Sequence, residues 1–273
     1  MAEHGRLAGK VAIVTGAGSR GDGIGNGRAS AVLLARNGAR VTLVDTVRDW
    51  VHRTADMIEA ERGVCQTILA DVTSPEDCAR IVTSTTSAWG RLDILVNNVG
   101  IEGPRGTAVE VDLEAWNDGL KVNVTSMMLM AKYAIPAMIA GGQGGAIVNI
   151  ASYAGLFGGH PALLYPTSKG AVVNMSRAMA AHHAAQKIRV NCIAPGMVYT
   201  PMVYAGGMTS EHREARRNRS LLKTEGEGWD VGNAVLYLAS DEARWVTGIV
   251  LPVDAGASAA PSAYPMSTAS RPP

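Results

Sequence analysis

Three residues of this 273-residue chain have types and spacing suited to moving a proton: Ser152, Tyr165 and Lys169. Ser152 stands just after an apolar run, in NIASYAG, and Tyr165 and Lys169 follow in YPTSK. Four-residue spacing puts Tyr165 and Lys169 on one helix face, a turn apart. Pro166 is tolerated only where a helix begins, which places Tyr165 in a first turn with its ring toward a cleft. A free tyrosine titrates near ~10 and is a poor base at neutral pH. A lysine cation beside it favours the phenolate. The bland alternative is a core tyrosine beside a surface lysine.

A second constellation could hold a phosphate. Residues 14–29 read VTGAGSRGDGIGNGRA, with glycine at 16, 18, 21, 23, 25 and 27. An apolar run precedes them and a helix-like run follows, the context a dinucleotide-binding turn requires. Glycines admit the backbone to a pyrophosphate, and a helix N-terminus near Ile24 offers free N–H groups. The alternative is a tight turn with no ligand. The next apolar run ends in Asp45, placed where an acid can accept from adenosine ribose hydroxyls or cap a helix. A carboxylate there repels a 2′-phosphate, which favours NAD over NADP. Arg20 and Arg48 keep NADP open.

These residues need a frame. Continuous apolar runs at 11–15, 40–45, 65–71, 92–98, 145–151, 188–194 and 249–254 read as strands buried on both faces, as in a parallel sheet. Helical patterns fall at 24–37, 50–62, 75–89, 113–139, 164–186 and 228–240. The alternation predicts an α/β fold, a doubly wound parallel sheet of seven strands with helices on both faces. A single domain over 1–256 is expected. Segment 197–226, rich in Met, Arg and Gly, breaks the rhythm and reads as a substrate-covering segment. The small, Pro-rich tail 257–273 reads as flexible or as docking on a neighbouring subunit.

Lys and Arg total 25 against 24 acids, so no nucleic-acid or acidic-membrane partner is implied. The basic cluster HREARRNR (212–219) reads as a solvated helix face. Cys65, Cys78 and Cys192 lack metal or CxxC spacing and read as buried small hydrophobes. The N-terminus has no apolar leader-like core, and MMLMAKYAIPAMIAGG is too short to span a bilayer. A soluble, cytoplasmic protein is expected.

The chain resembles the short-chain dehydrogenase/reductase family, in its compact single-domain branch, from about residue 7 to 256. The likeness rests on an ordered set: Thr15-Gly16 with Gly23-Ile24-Gly25, Asp71-Val72, NNVG from Asn97 to Gly100, Asn123 in KVNV, Ser152, YPTSK, and PGMVYT from Pro195 to Thr200. The resemblance implies an NAD(P)-dependent oxidoreductase interconverting a secondary alcohol and its ketone. It makes Tyr165 the general acid/base and has Lys169 lower the Tyr165 pKa and hold the nicotinamide ribose. Ser152 holds the substrate oxygen, and Asn123 holds a water in a relay from Lys169 to solvent. It places Gly16, Gly23, Ile24 and Gly25 at the phosphates and Asp71 and Val72 beside the adenine, while Ser19 and Arg20 of the lengthened loop are expected to contact the adenosine ribose or pyrophosphate. Asn97 and Gly100 fall on the adenosine side, with Asn98 better suited to bracing the strand. Pro195, Gly196, Val198 and Thr200 fall near the carboxamide. A homotetramer, or a homodimer, is implied, pairing helices 113–139 and 164–186. Physical chemistry agrees: reducing a carbonyl builds negative charge on oxygen, and two hydroxyls could stabilise it.

Tyr153, Ala154, Leu156, His160, Met197, Met202 and Met208 are candidates for the substrate pocket, with the methionines as an adaptable wall. Three departures from the family pattern stand out. Val99 replaces a usual alanine. Ala255 replaces a frequent glycine, with little expected consequence. Three extra residues lengthen the glycine loop around Arg20-Gly21-Asp22, and they are expected to bulge outward beside the adenosine ribose or pyrophosphate. A catalytically silent dinucleotide-binding sensor or scaffold is the alternative function. An epimerase or dehydratase is disfavoured because only a short tail follows the last strand.

Overall fold

Apolar β-branched runs become strands here because helices cover both of their faces. In this computed structural model, which describes residues 5–260, the elements alternate along the chain. The first half runs β1 (Val11–Thr15), α1 (Asn26–Arg36), β2 (Arg40–Asp45), α2 (Arg48–Ala60), β3 (Val64–Leu69), α3 (Pro75–Trp89) and β4 (Ile94–Asn97). The second runs α4 (Leu113–Leu120), α5 (Ser126–Ala140), β5 (Gly145–Ile150), α6 (Leu164–His183), β6 (Ile188–Pro195), α7 (Pro201–Tyr204), α8 (Ser210–Arg217), α9 (Gly228–Ala239) and β7 (Val250–Val253). All seven strands join one sheet in the order β3-β2-β1-β4-β5-β6-β7, and every pairing is parallel. The order reverses between β1 and β4, so a crevice opens there beyond the strands' carboxyl ends. One buried cluster joins β1 and β2 to α1 and α9. A second packs α3 and α5 on the opposite face.

Local signals fix several boundaries. Ser74 accepts a hydrogen bond from Asp77 N and Pro75 opens α3, while Gly90 ends it in the left-handed region. The helix expected over 113–139 is interrupted by a π turn at Lys121–Thr125 that carries Asn123. With that turn it runs unbroken to Ala140 and is long and apolar enough to cross a membrane by length and composition. The expectation of too short a stretch is therefore corrected. Half of its most apolar window lies inside the fold, which accounts for the composition. Met130, Ala134 and Met138 face the sheet with no exposed area.

Two further corrections concern the C-terminal side. Ala255 has φ 50°, a conformation that costs an L-residue roughly 1–2 kcal/mol, so the absence of glycine there has a consequence. The ordered chain also continues past 256. Ala257 is buried, and Ser258 N donates to Asp254 Oδ2 at 2.8 Å. The rest of the tail, 261–273, lies outside the described residues. Segment 197–226 is held at its base by a parallel bridge between Val198 and Gly226.

Candidate active site

A cavity of about 890 Å3 occupies the crevice at the carboxyl ends of β1, β2, β4, β5 and β6. At one end it is lined by Gly16, Ser19, Arg20, Gly25, Asp45, Asp71 and Val72. Asn98, Gly100, Ser152, Tyr165 and Lys169 follow, and Pro195, Gly196, Val198 and Thr200 close the far side. Residues remote in sequence meet because each sits just past a strand end.

Tyr165 lies in the first turn of α6, as Pro166 requires. Burial pushes its phenol up, and the neighbouring Ser152 hydroxyl pulls it back. The Ser152 oxygen also accepts from Ala154 N at 3.1 Å. Lys169 is fully enclosed, and burial brings its ammonium down to about 8. Its Nζ donates to Ile150 O at 3.1 Å and lies 5.8 Å from the Tyr165 ring centre. Asn123 does not line the cavity. It is fully buried, accepts from Ile101 N at 2.7 Å and donates to Ile101 O and Ser168 Oγ. Ser168 Oγ in turn donates to Tyr165 O at 2.9 Å. The π turn thereby braces the first turn of α6, a recurrent use of such turns.

The glycine loop departs from expectation. Its extra residues wrap a buried side chain that sequence reasoning missed. Arg28 is 1% exposed. Its Nη1 donates to Gly21 O and Gly23 O at 3.1 and 2.6 Å. Its Nη2 donates to Ser19 O and Trp50 O at 3.1 and 3.2 Å. Its Nε donates to Thr54 Oγ1 at 3.1 Å, so all five N–H donors have acceptors. Burial pushes the guanidinium pKa down, and carbonyl dipoles take the place of a counter-ion. The signal was present in the helical period. Arg28 shares a face of α1 with Ala31, Val32 and Ala35, all buried.

Gly23 and Ile24, expected at the pyrophosphate, do not line the cavity. A Cβ on Gly23 would lie 2.1 Å from Tyr204 Oη and 2.4 Å from Pro201 Cγ, so this glycine lets the loop touch α7. Gly25, Asn26 and Gly27 line the cavity beside Gly16. Asp45 fixes the loop as well as facing the cavity: Oδ2 accepts from Gly18 N at 2.9 Å and Oδ1 from Val47 N at 3.1 Å. Asn97 is a correction. It is buried between strands and donates to Asn149 Oδ1 at 2.9 Å, away from the cavity. Asn98 both faces the cavity and braces the loop, donating to Gly16 O at 3.0 Å. The larger Val99 fits because Gly16 has no Cβ, which would stand 3.3 Å from Val99 Cγ2.

Tyr153, Ala154, His160, Met197 and Met202 line the other end with Phe157, which the sequence had not marked. The His160 ring lies 5.3 Å from that of Tyr165, with Nδ1 accepting from Ala162 N at 3.1 Å. Leu156 packs into the core instead, and Met208 is not part of the lining. The basic cluster is not simply a solvated face. Arg213 pairs with Glu225 and stacks 4.0 Å from the Tyr199 ring centre, while Arg216 and Arg219 line the cavity. The three cysteines are free, and burial pushes each thiol up to about 11.

The fit of a dinucleotide rests on the loop itself. A Cβ on Gly25 would stand 3.0 Å from Ser19 Oγ, and one on Gly18 would stand 2.7 Å from Asp45 Oδ2. Bare backbone therefore faces the cavity where α1 begins. Known proteins point the same way. A family model described as enoyl-(acyl carrier protein) reductase matches residues 19–258. The 2-(S)-hydroxypropyl-CoM dehydrogenase 3 of Xanthobacter autotrophicus is 38% identical over 258 residues, covering 93% of this chain and 98% of the relative. A crystal structure described as a short-chain dehydrogenase/reductase from Burkholderia xenovorans is 43% identical, with a TM-score of 0.88, covering 93% of this chain and 98% of that one. Carveol dehydrogenase from Mycobacterium avium, crystallised with NAD, is 31% identical, with a TM-score of 0.86 over 93% of this chain and 99% of that one.

Proposed function

The chain belongs to the short-chain dehydrogenase/reductase family, and from that premise we propose that it interconverts a secondary alcohol and its ketone with NAD, using Tyr165 as acid and base. The observation that carries the reading is the meeting of Ser152, Tyr165 and Lys169 in one cavity whose other end is the glycine loop and Asp45. Gly16, Ser19, Arg20 and Gly25 would hold the phosphates of NAD, Asp45 the adenosine ribose, and Asp71 and Val72 the adenine. Lys169, Pro195, Gly196, Val198 and Thr200 would hold the nicotinamide half, joined by Gly100, which was expected on the adenosine side but lies against Lys169 Nζ. When bound, NAD accepts or returns the hydride.

The protein's own groups manage the proton. In oxidation, the Tyr165 oxygen takes the proton of the alcohol while the Ser152 hydroxyl donates to the same substrate oxygen. Burial alone opposes a phenolate, so the phenolate needs the cation of Lys169 beneath the ring. Asn123 fits a relay role: a Cβ on Gly100 would lie 2.9 Å from Lys169 Nζ and 3.4 Å from Asn123 Oδ1, so both groups border one small space. The Asp45 carboxylate favours NAD over NADP by repelling a 2′-phosphate.

Assembly and location complete the reading. Leu113 (71% exposed), Met128, Ile139 and Leu163 leave apolar area on the faces of α4 to α6, which supports pairing of these helices in a homotetramer or homodimer. Free thiols, with Cys78 and Cys192 buried and Cys65 partly so, suit a reducing cytoplasm.

The test is Tyr165→Phe. Turnover of secondary alcohols, read at the absorbance of reduced nicotinamide with NAD and with NADP, falls by about 100-fold or more, while NAD binding by calorimetry stays near that of the parent. Undiminished turnover in Tyr165→Phe refutes the assignment, and retained NAD binding with no turnover of any alcohol or ketone by the parent favours the silent sensor.

A further inference from the structure

The cavity described above holds two arginines that the proposed reaction does not use. Arg216 is the last-but-one residue of α8, and Arg219 follows in the turn beyond it, with its N–H donating to Arg216 O at 3.2 Å. Both line the cavity from the covering segment. The Arg216 guanidinium is half-buried, and its one recorded bond among the described residues runs from Nη2 to Val198 O at 3.3 Å. Among the described residues its remaining N–H groups have no acceptor, and neither its guanidinium nor that of the more exposed Arg219 has a carboxylate within ion-pair distance. The neighbours of Arg216 in α8 differ. Arg213 is paired with Glu225, and Arg217 lies 3.8 Å from Glu214.

Segment 197–226 is anchored so that these two side chains stay at the cavity. Arg213 is clamped between Glu225 and the Tyr199 ring. Tyr199 stacks 4.7 Å from Tyr204, and Tyr199 N donates to Gly226 O at 2.8 Å. The charges facing this end are few. Glu102 is the only carboxylate lining it, since Asp45 and Asp71 belong to the adenosine end. Burial and the neighbouring Arg219 both weaken the hold of Arg216 on its proton, and Glu102 and Glu225 only partly offset them. The bond from Arg216 to Val198 O sets it at the far side of the cavity, apart from the adenosine end.

A half-buried guanidinium with unmet donors, beside a second cation, is built to receive an anion. We infer that the substrate is a hydroxy acid or oxo acid, carrying a carboxylate or sulfonate away from its carbinol carbon, and that Arg216 and Arg219 bind this anionic group. The inference rests on the dehydrogenase reading above, because it names the substrate class of that same site. The apolar wall of Phe157, Met197 and Met202 would cover the carbon skeleton between the two polar ends.

The experiment has two arms. In the first, 4-oxocyclohexanecarboxylate and its methyl ester are reduced with NADH by the parent, Arg216→Gln and Arg219→Gln. The parent prefers the acid by roughly 10- to 100-fold in kcat/KM, the scale of a hydrogen bond to a charged group. In each variant that ratio falls toward one, and the rise in KM falls on the acid and not on NADH. Arg219→Gln removes no recorded side-chain bond, so it remains informative should Arg216→Gln disturb folding. In the second arm, cyclohexanecarboxylate and cyclohexanecarboxamide are titrated calorimetrically into the enzyme–NADH complex. The carboxylate binds about 10-fold tighter than the amide, and the difference shrinks in both variants. Equal use of acid and ester with equal binding of carboxylate and amide overturns the inference, while Tyr165-dependent reduction of the ester would leave the dehydrogenase reading standing. Variants that raise KM for NADH at an unchanged acid-to-ester ratio also overturn it, since the arginines would then serve the cofactor's phosphates. Selective binding of the carboxylate without reduction of either ketone supports the anion site and counts against the dehydrogenase reading.

Discussion

At the residue scale, the most informative side chain is one with no chemistry of its own. Arg28 spends its five donors on three loop carbonyls, one α2 carbonyl and one hydroxyl. The loop carbonyls of Ser19, Gly21 and Gly23 would otherwise be unpaired in a longer-than-usual turn. The planar, five-donor guanidinium is what fits, since an ammonium has only three donors. Arg28→Lys therefore loses at least two of these bonds, at a cost of about 2–4 kcal/mol in stability. Because Ser19 and Arg20 border the cavity, the loosened loop should raise KM for NAD by about 10-fold with kcat little changed. Denaturant melts and initial rates at varied NAD check both parts. An unaltered KM for NAD would mean that the loop keeps its shape without Arg28.

At the scale of elements, the glycine loop and the covering segment act on each other. Arg20 lies over the Trp50 ring at 5.7 Å, and Asp22 pairs with Arg53. The tip of the insertion thus leans on α2, on the cofactor side. Gly23, by contrast, backs onto Pro201 and Tyr204. Deleting Arg20–Asp22 should shift KM for NAD more than KM for the alcohol, whereas Gly23→Val should displace α7 and raise KM for the alcohol several-fold or more. The reverse ranking in steady-state kinetics would show that the two elements are uncoupled. Much of this level was legible in advance. Strand and helix positions and the shared face of Tyr165 and Lys169 follow from period and spacing, which act locally, and the family resemblance brought Ser152 to them. What was not legible depends on contacts across the chain. The direction of Asn97 and Asn98 is set by pleat parity at the end of β4. The turning of Gly23 away from the cavity is set by α7, and the placement of Arg216 is set by the Arg213 clamp.

At the scale of the whole molecule, the active site opposes the stability of the fold that carries it. Lys169 is enclosed with no carboxylate pairing with it among the described residues, and burial lowers it to about 8, against 10.4 for an unperturbed lysine. The sign of the pH effect follows from proton counts. Between about pH 8 and pH 10.4 the unfolded chain holds a proton that the folded site has lost, so Lys169 makes the fold more stable as pH rises through that window. Below pH 8 both states are protonated and the full penalty of burying the charge is present, on the order of 3 kcal/mol. Lys169→Met fills the site with an uncharged chain of similar length. Without bound cofactor, Lys169→Met should be more stable than the parent at pH 7, and the gap should close between pH 8 and 10.4. The Cys65 and Cys78 thiols, pushed up to about 11, weaken the fold above about pH 9 in both proteins and cancel from the difference, whereas Cys192, which feels the Lys169 charge, makes the comparison cleanest below pH 9. Chemical denaturation of the two proteins across pH 6–10.5 measures that gap. A gap that stayed constant with pH would show that Lys169 is compensated within the fold, and that its charge is retained at no cost to stability.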